Sequence, residues 1–177
     1  PNYRLSEILA ALLNSQLPRL EEQTQKRFEH GRYLDGLLAE TEGVGHLRND
    51  PRITRNSYHI FIFKYSEDAF EGLSRDLFVK ALSAEGIPTS KGYPRACHQH
   101  PLFQETGGHS VFPYNRPLTD RQPDYSSTLC PNAENLCQNE TVWFPTNFML
   151  DAGPEGMDQT IDAIEKIRMK AKELLKA

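Results

Sequence analysis

Cys97-His98-Gln99-His100 places a thiol and two imidazoles within four residues, a density of chemically capable side chains found nowhere else in this sequence. Thiolate and imidazole are zinc ligands, and Cys130 or His109 could complete a set of four. The spacing speaks against a structural zinc site, because neither a paired C-x-x-C nor an H-x-x-x-H accompanies the run. Two further candidates stand at the start of the chain. Asn2 precedes a helical pattern and reads on its own as a turn or cap residue. Arg4 carries a planar fork that matches carboxylate or phosphate, although an arginine near a helix start is commonly a solvated side chain. Cys130 and Cys137 are six residues apart, a spacing that by itself implies no disulfide, since free buried cysteine is common. His59, Trp143 and Met149 read as core residues, His59 with a hydrogen-bonded ring.

The elements that must position these groups follow from periodicity. Leu5, Ile8, Leu9, Leu12, Leu13, Leu17 and Leu20 recur at three- and four-residue spacing, which predicts an amphipathic helix that kinks or restarts at Pro18. The helix resumes with Phe28, Tyr33, Leu34, Leu37 and Leu38 as its stripe, and Gly43 and Gly45 end it. Ser57 to Tyr65 reads SYHIFIFKY, a strand apolar on both alternating sets and so expected to be covered on both faces. Ser74 can cap a helix with Leu77, Phe78, Ala81 and Leu82 inward and Gly86 just past its end. Ile87 and Thr89 suit a short strand. Residues 91 to 129 show no period of either kind, with five prolines and three histidines, and read as a long functional loop. Pro131 opens a helix over Ala133 to Cys137, Val142-Trp143-Phe144 forms a strand stopped by Pro145, and a last helix from Glu155 presents Met157, Ile161, Ile164, Ile167, Ala171 and Leu174.

At 177 residues, with 38% hydrophobic and 25% charged residues, the chain has the composition of a globular domain, and no apolar run is long enough to span a bilayer. The net charge of −4 and scattered basic residues exclude a phosphate-backbone binder, so neither nucleic acid nor membrane is an expected partner. Three cysteines and no secretory pattern at the start point to a cytoplasmic location. The chain opens at Pro1 with the helical pattern a few residues away, as though entered in mid-fold. The element order describes an α/β class, more closely an α+β small domain with a small sheet and covering helices, divided into a linking segment over 1–56 and a small domain over 57–177.

Asn2-Tyr3-Arg4-Leu5-Ser6-Glu7, followed by Ala10-Ala11 and Gln16-Leu17-x-x-Leu20, resembles the turn and helix that follow the lysine-bearing half of the DegT/DnrJ/EryC1/StrS aminotransferases. The resemblance continues in order through His59-Ile60-Phe61, Ser74-Arg75-Asp76, Leu82-x-x-Glu85-Gly86-Ile87, Gly92-Tyr93-Pro94, His100-Pro101, Cys130-Pro131-x-Ala133-Glu134, Val142-Trp143-Phe144-Pro145 and Asp158 to Ile167. No single motif is unique to the family; their common order carries the likeness.

That resemblance implies the C-terminal segment of a fold-type I transferase dependent on pyridoxal 5'-phosphate, working as a homodimer with active sites shared between subunits. It implies transfer of an amino group from glutamate or glutamine to a keto sugar or keto-cyclitol. It assigns Asn2 to the cofactor phosphate of the neighbouring subunit, which its amide NH₂ suits as a donor, and places Tyr93, His98 and His100 in the loop that approaches the substrate, with Arg4 a further substrate contact. The cofactor-bearing lysine is expected upstream of Pro1, because none of Lys26, Lys64, Lys80 and Lys91 has a matching context; no catalytic base or nucleophile is assigned. Two other readings remain open. One is a family relative without that lysine, serving dehydration or regulation; the other is a freestanding interaction module with a metal at Cys97, His98 and His100. The Arg95 to Pro101 stretch and the 103 to 129 segment depart from the commoner sugar-nucleotide pattern, which leaves a cyclitol substrate open.

Overall fold

The computed structural model describes residues 3–104 and 128–176. Pro1, Asn2, His109 and the rest of 105–127 lie outside them, and with them the phosphate contact expected of Asn2 and the ligand role considered for His109.

Helix α1 spans Glu7–Glu40, with Ser6 accepting a hydrogen bond from the Leu9 N–H as its cap. It runs through Pro18 without restarting, contrary to the sequence expectation. The physical reason is exposure: both Asn14 and Pro18 face solvent, so water can satisfy the carbonyl that proline leaves without a donor. The buried residues of α1 are Thr24, Arg27, Gly31, Leu34 and Leu38, a strict three–four repeat. The same repeat continues backwards through Leu20, Leu17 and Leu13, yet these are 52%, 57% and 52% exposed, and Leu5, Ile8, Leu9 and Leu12 are exposed beside them. Half of one continuous apolar face is therefore covered and half is bare.

Three antiparallel strands form a sheet in the order β1-β2-β3, with β1 at Val44–His46, β2 at Ile60–Tyr65 and β3 at Thr141–Pro145. The three-residue β1 was not expected from sequence; Gly43 and Gly45 leave too little periodicity to show it. Phe61 stands opposite Phe144 and Phe63 opposite Val142 across β2 and β3. On one face of β2, Phe61, Phe63 and Tyr65 are buried; Ile60 and Ile62 on the other are only half-buried and Lys64 is exposed, so the strand is not fully covered on both sides as expected. The strand expected at Ile87 and Thr89 reduces to one antiparallel bridge between Ser90 and Trp143.

Helix α2, Arg75–Ala84, is capped by Ser74 and buries Phe78 and Leu82, while Leu77 is 39% exposed rather than inward. Short helices α3 (Pro101–Gln104), α4 (Pro131–Asn135) and α5 (Thr146–Asp151) precede α6, Gly153–Met169, and α7, Ala171–Leu174. After α4 the chain widens into a π turn over Leu136–Glu140 before β3. Met157, Ile164, Ile167 and Ala171 are buried as expected, and Ile161 and Leu174 pack at the margin of the core. Aromatic contacts knit the centre: Phe63 to Phe144 at 5.0 Å, Tyr65 to Phe78 at 4.3 Å and Phe70 to Phe78 at 5.2 Å between ring centroids. Among the described residues no helix is long and apolar enough to cross a membrane.

One close approach sets where β2 meets α1. The Tyr58 ring lies against Gly31, where a Cβ would stand 2.5 Å from Tyr58 Cε2, and the Tyr58 hydroxyl donates to Asp35 Oδ2 at 3.0 Å. Alanine raises helix propensity by about 1 kcal/mol over glycine, but here it must displace a packed ring. Gly31→Ala is expected to lower stability by roughly 1–3 kcal/mol, read as a fall in the thermal midpoint; a rise would show that propensity outweighs the contact. The bare half of α1 makes a second expectation. The chain should self-associate in a concentration-dependent way by sedimentation velocity, and Leu13→Lys with Leu17→Lys should return it to monomer. A wild-type monomer at high concentration with α1 helical would contradict this.

Candidate functional site

The segment from Ser90 to Gln104 carries three of the five site residues expected from sequence, and β3 and α4 hold it in place. Its anchor is the Ser90 pairing with Trp143, with N···O distances of 3.0 and 2.8 Å in the two directions. Gly92 then crosses the Trp143 indole with φ at +70°, so close that a Cβ would fall 2.1 Å from Trp143 Cε2. Only glycine satisfies both the left-handed backbone and the contact. Tyr93 stands edge-on to the same indole, ring centroids 4.9 Å apart and planes at 88°, and is 67% exposed. Trp143, read from sequence as core, is thus half-buried and serves as the platform under this segment. Its Nε1 is buried and has no hydrogen-bond partner among the described residues.

Beyond Tyr93 the chain buries Ala96 and turns through a 3₁₀ turn at Cys97–Gln99. The Gln99 N–H donates to Ala96 O and the His100 N–H to Cys97 O, both at 3.0 Å, while the Gln99 side chain accepts from the Ala96 N–H at 3.3 Å. His98 Nε2 lies 2.9 Å from Glu134 Oε1, its side chain only 11% exposed and that of Glu134 25%. The same Oε1 accepts the Cys130 N–H at 2.9 Å. His100 is exposed. Tyr93, His98 and His100 therefore lie on one fastened segment, Tyr93 and His100 exposed and His98 largely covered, while Arg4 belongs to the exposed approach to α1.

A buried cation ties α2 to the chain that leads into β3. Arg75 is 8% exposed, and its Nη1 donates to Cys137 O at 3.0 Å and Thr141 O at 3.2 Å, joining the start of α2 to the π turn. Burial pulls this guanidinium below its ordinary pKa. Sequence reading quoted Arg75, Glu134 and Gly92 only as members of motifs; their roles depend on partners 36 to 66 residues away along the chain.

Other candidates separate. Among the described residues no three of His, Cys, Asp and Glu come together as metal ligands, and Cys97, Cys130 and Cys137 are free thiols. His59 is exposed rather than in the core, lying just before β2 with its Nδ1 3.3 Å from Thr146 Oγ1. Lys26 pairs with Glu22, Lys64 with Glu140 and Lys91 with Asp76, with lysine side chains 53%, 46% and 46% exposed. Such solvated, ion-paired amines lack the desolvation that makes a lysine nucleophilic. Among the described residues, one cleft lies around Lys64, Glu67, Asp68 and Glu140 and another around Pro88, Phe148, Asp151 and Glu155, and neither is lined by Tyr93, His98 or His100. On the site segment Tyr93 and His100 are exposed, and His98 is largely covered against Glu134.

Comparison with known proteins gives a consistent setting. The profile of the DegT/DnrJ/EryC1/StrS aminotransferase family matches residues 1–121. A Micromonospora echinospora protein named as an L-glutamine:3-amino-2,3-dideoxy-scyllo-inosose aminotransferase is 30% identical over 94% of this chain and 40% of its own length. The 3-amino-5-hydroxybenzoate synthase of Amycolatopsis mediterranei (strain S699) is 30% identical over 87% of this chain and 36% of its own length. A crystal structure of 3-amino-5-hydroxybenzoic acid synthase superposes with a TM-score of 0.68 at 27% identity, covering 91% of this chain and 38% of that one. The chain spans about two fifths of the length of the curated relatives it matches.

Trp143 is the one tryptophan of the sequence, so its fluorescence reports directly on the platform. Gly92→Ala should shift the emission maximum and cost about 1–3 kcal/mol of stability. Unchanged emission and an unchanged melt would show that Gly92 does not need to cross the indole so closely.

Proposed function

Because the chain belongs to the DegT/DnrJ/EryC1/StrS aminotransferase family, we propose that the intact protein moves an amino group from glutamine or glutamate to a keto sugar or keto-cyclitol, with pyridoxal 5'-phosphate as its cofactor. The observation that carries this reading is the fastened segment that bears Tyr93, His98 and His100, three hydrogen-bonding side chains, in a chain that aligns along most of its length with a protein named as a cyclitol aminotransferase. A cyclitol ketone is rich in hydroxyls and carries no net charge, which suits phenol and imidazole groups that both donate and accept.

One end of the cofactor has a candidate donor in this sequence. Asn2 comes shortly before the long helix α1, and its amide NH₂ suits a phosphate oxygen. The described lysines do not fit the other end, being exposed and most of them ion-paired. When bound, pyridoxal phosphate supplies the electron sink that lets an amine lose its alpha proton. This chain's part is to bind the phosphate through Asn2 and to orient the amino acceptor through Arg4 and the segment of Tyr93, His98 and His100, with the lysine contributed by the remainder of the intact protein. In this reading the protein is a cytoplasmic homodimer whose active sites draw on both subunits. Residues 1–56 link to the cofactor-holding part and 57–177 act as the small domain, the two sharing one core through Leu34, Leu38 and β1.

The test is the visible spectrum of the intact protein with pyridoxal phosphate, before and after glutamine or glutamate. A cofactor band that converts to that of the aminated cofactor on adding donor is the expected result. Bound cofactor with no conversion by either donor would overturn amino transfer, and no binding would overturn cofactor dependence. The present chain alone is expected to show no conversion.

A further inference from the structure

Glu134 does something at the site that neither its motif nor the family reading assigns to it. Pro131 opens α4, and the Glu134 side chain reaches back along that turn to accept the Cys130 N–H at 2.9 Å. The same oxygen, Oε1, lies 2.9 Å from Nε2 of His98, 36 residues earlier in the chain. One carboxylate oxygen is thus shared between the start of α4 and the 3₁₀ turn Cys97–Gln99 of the site segment. Both side chains are well covered, His98 at 11% and Glu134 at 25% exposure, so the contact is shielded from competing water more than the exposed ion pairs are. A carboxylate has no hydrogen to give, so the hydrogen between the two must sit on Nε2, which selects one tautomer of the neutral ring.

We propose that Glu134 is a positioning residue for the amino-acceptor surface. It holds His98 in the Nε2–H tautomer and pins the turn that carries it to α4, so that the segment bearing Tyr93, His98 and His100 is presented to a keto-cyclitol in one preset arrangement. The ligand half of this inference rests on the proposed aminotransferase function; the structural half does not. Trp143 fixes the upstream end of the segment through Gly92, and Glu134 fixes the downstream end, which makes the surface preformed rather than assembled around its ligand.

The test uses two variants and two readouts. Glu134→Gln keeps a side-chain oxygen able to accept both hydrogens, whereas Glu134→Ala removes it. Long-range ¹⁵N correlation spectra of histidine-labelled chain should show His98 as the Nε2–H tautomer in wild type and in Glu134→Gln. In Glu134→Ala a substantial Nδ1–H fraction should appear while the circular dichroism spectrum is retained. In the intact enzyme, Glu134→Ala should raise KM for 2-deoxy-scyllo-inosose about tenfold, leave the donor half-reaction unchanged, and be rescued by Glu134→Gln. An Nδ1–H ring in wild type, or a tautomer indifferent to Glu134→Ala, would overturn the proposal while leaving amino transfer standing. An altered tautomer with unchanged KM would overturn the link to the acceptor. Absence of amino transfer in the wild-type enzyme would sink the functional reading and the ligand half with it, and the spectra would still decide whether Glu134 sets His98.

Discussion

The antiparallel register between β2 and β3 is the constraint on which the rest of the molecule depends. It sets Phe61 against Phe144 and Phe63 against Val142, and the core gathers on that seam. A one-residue slip would turn Phe144 outward and Trp143 inward. The core would lose an aromatic ring that contacts Phe61, Phe63 and Phe148, and the site segment would lose the indole beneath Gly92 and Tyr93. A single strand thus serves the core with one set of side chains and the site with another.

Around this seam the molecule divides its apolar surface unevenly. The second half of α1 buries its stripe against β1, α5 and α6. The first half carries the same stripe exposed, with none of the described residues burying it. A helix of 34 residues is about 51 Å long at 1.5 Å per residue, longer than so small a sheet can cover, and an apolar face of that extent marks an interaction surface. An exposed apolar helix face and an exposed site segment occur together on this chain. That agrees with a chain that spans about two fifths of its relatives.

Legibility in the sequence tracked the range of the interactions involved. Helix α2 was readable from Ser74 and Gly86, and α6 from its stripe, because caps and periods act within a few residues. The Cys130-Pro131 start of α4 was readable for the same reason. Strand β1 was not, since Val44–His46 becomes a strand only by pairing with Phe63 to Tyr65. Leu77 and His59 were placed inward by pattern and lie outward in the fold. Tyr93, His98 and His100 could be named from their place in an ordered set of motifs. Glu134, Arg75 and Trp143 could not be given roles, because each acts on a segment far away in the chain.

The sequence by itself determined the α+β class, the helices with local start and stop signals, the absence of the charge pattern that a nucleic-acid binder needs, and the likeness to an aminotransferase family. Only the tertiary structure decided which half of the α1 stripe is covered, that Trp143 is a platform rather than a core residue, and that His98 engages the Glu134 carboxylate. The division has one cause. Caps, turns and periodicity are set by neighbours along the chain, whereas the coverage of a face and the partner of a polar group are set by whichever distant segment the β2–β3 register brings alongside.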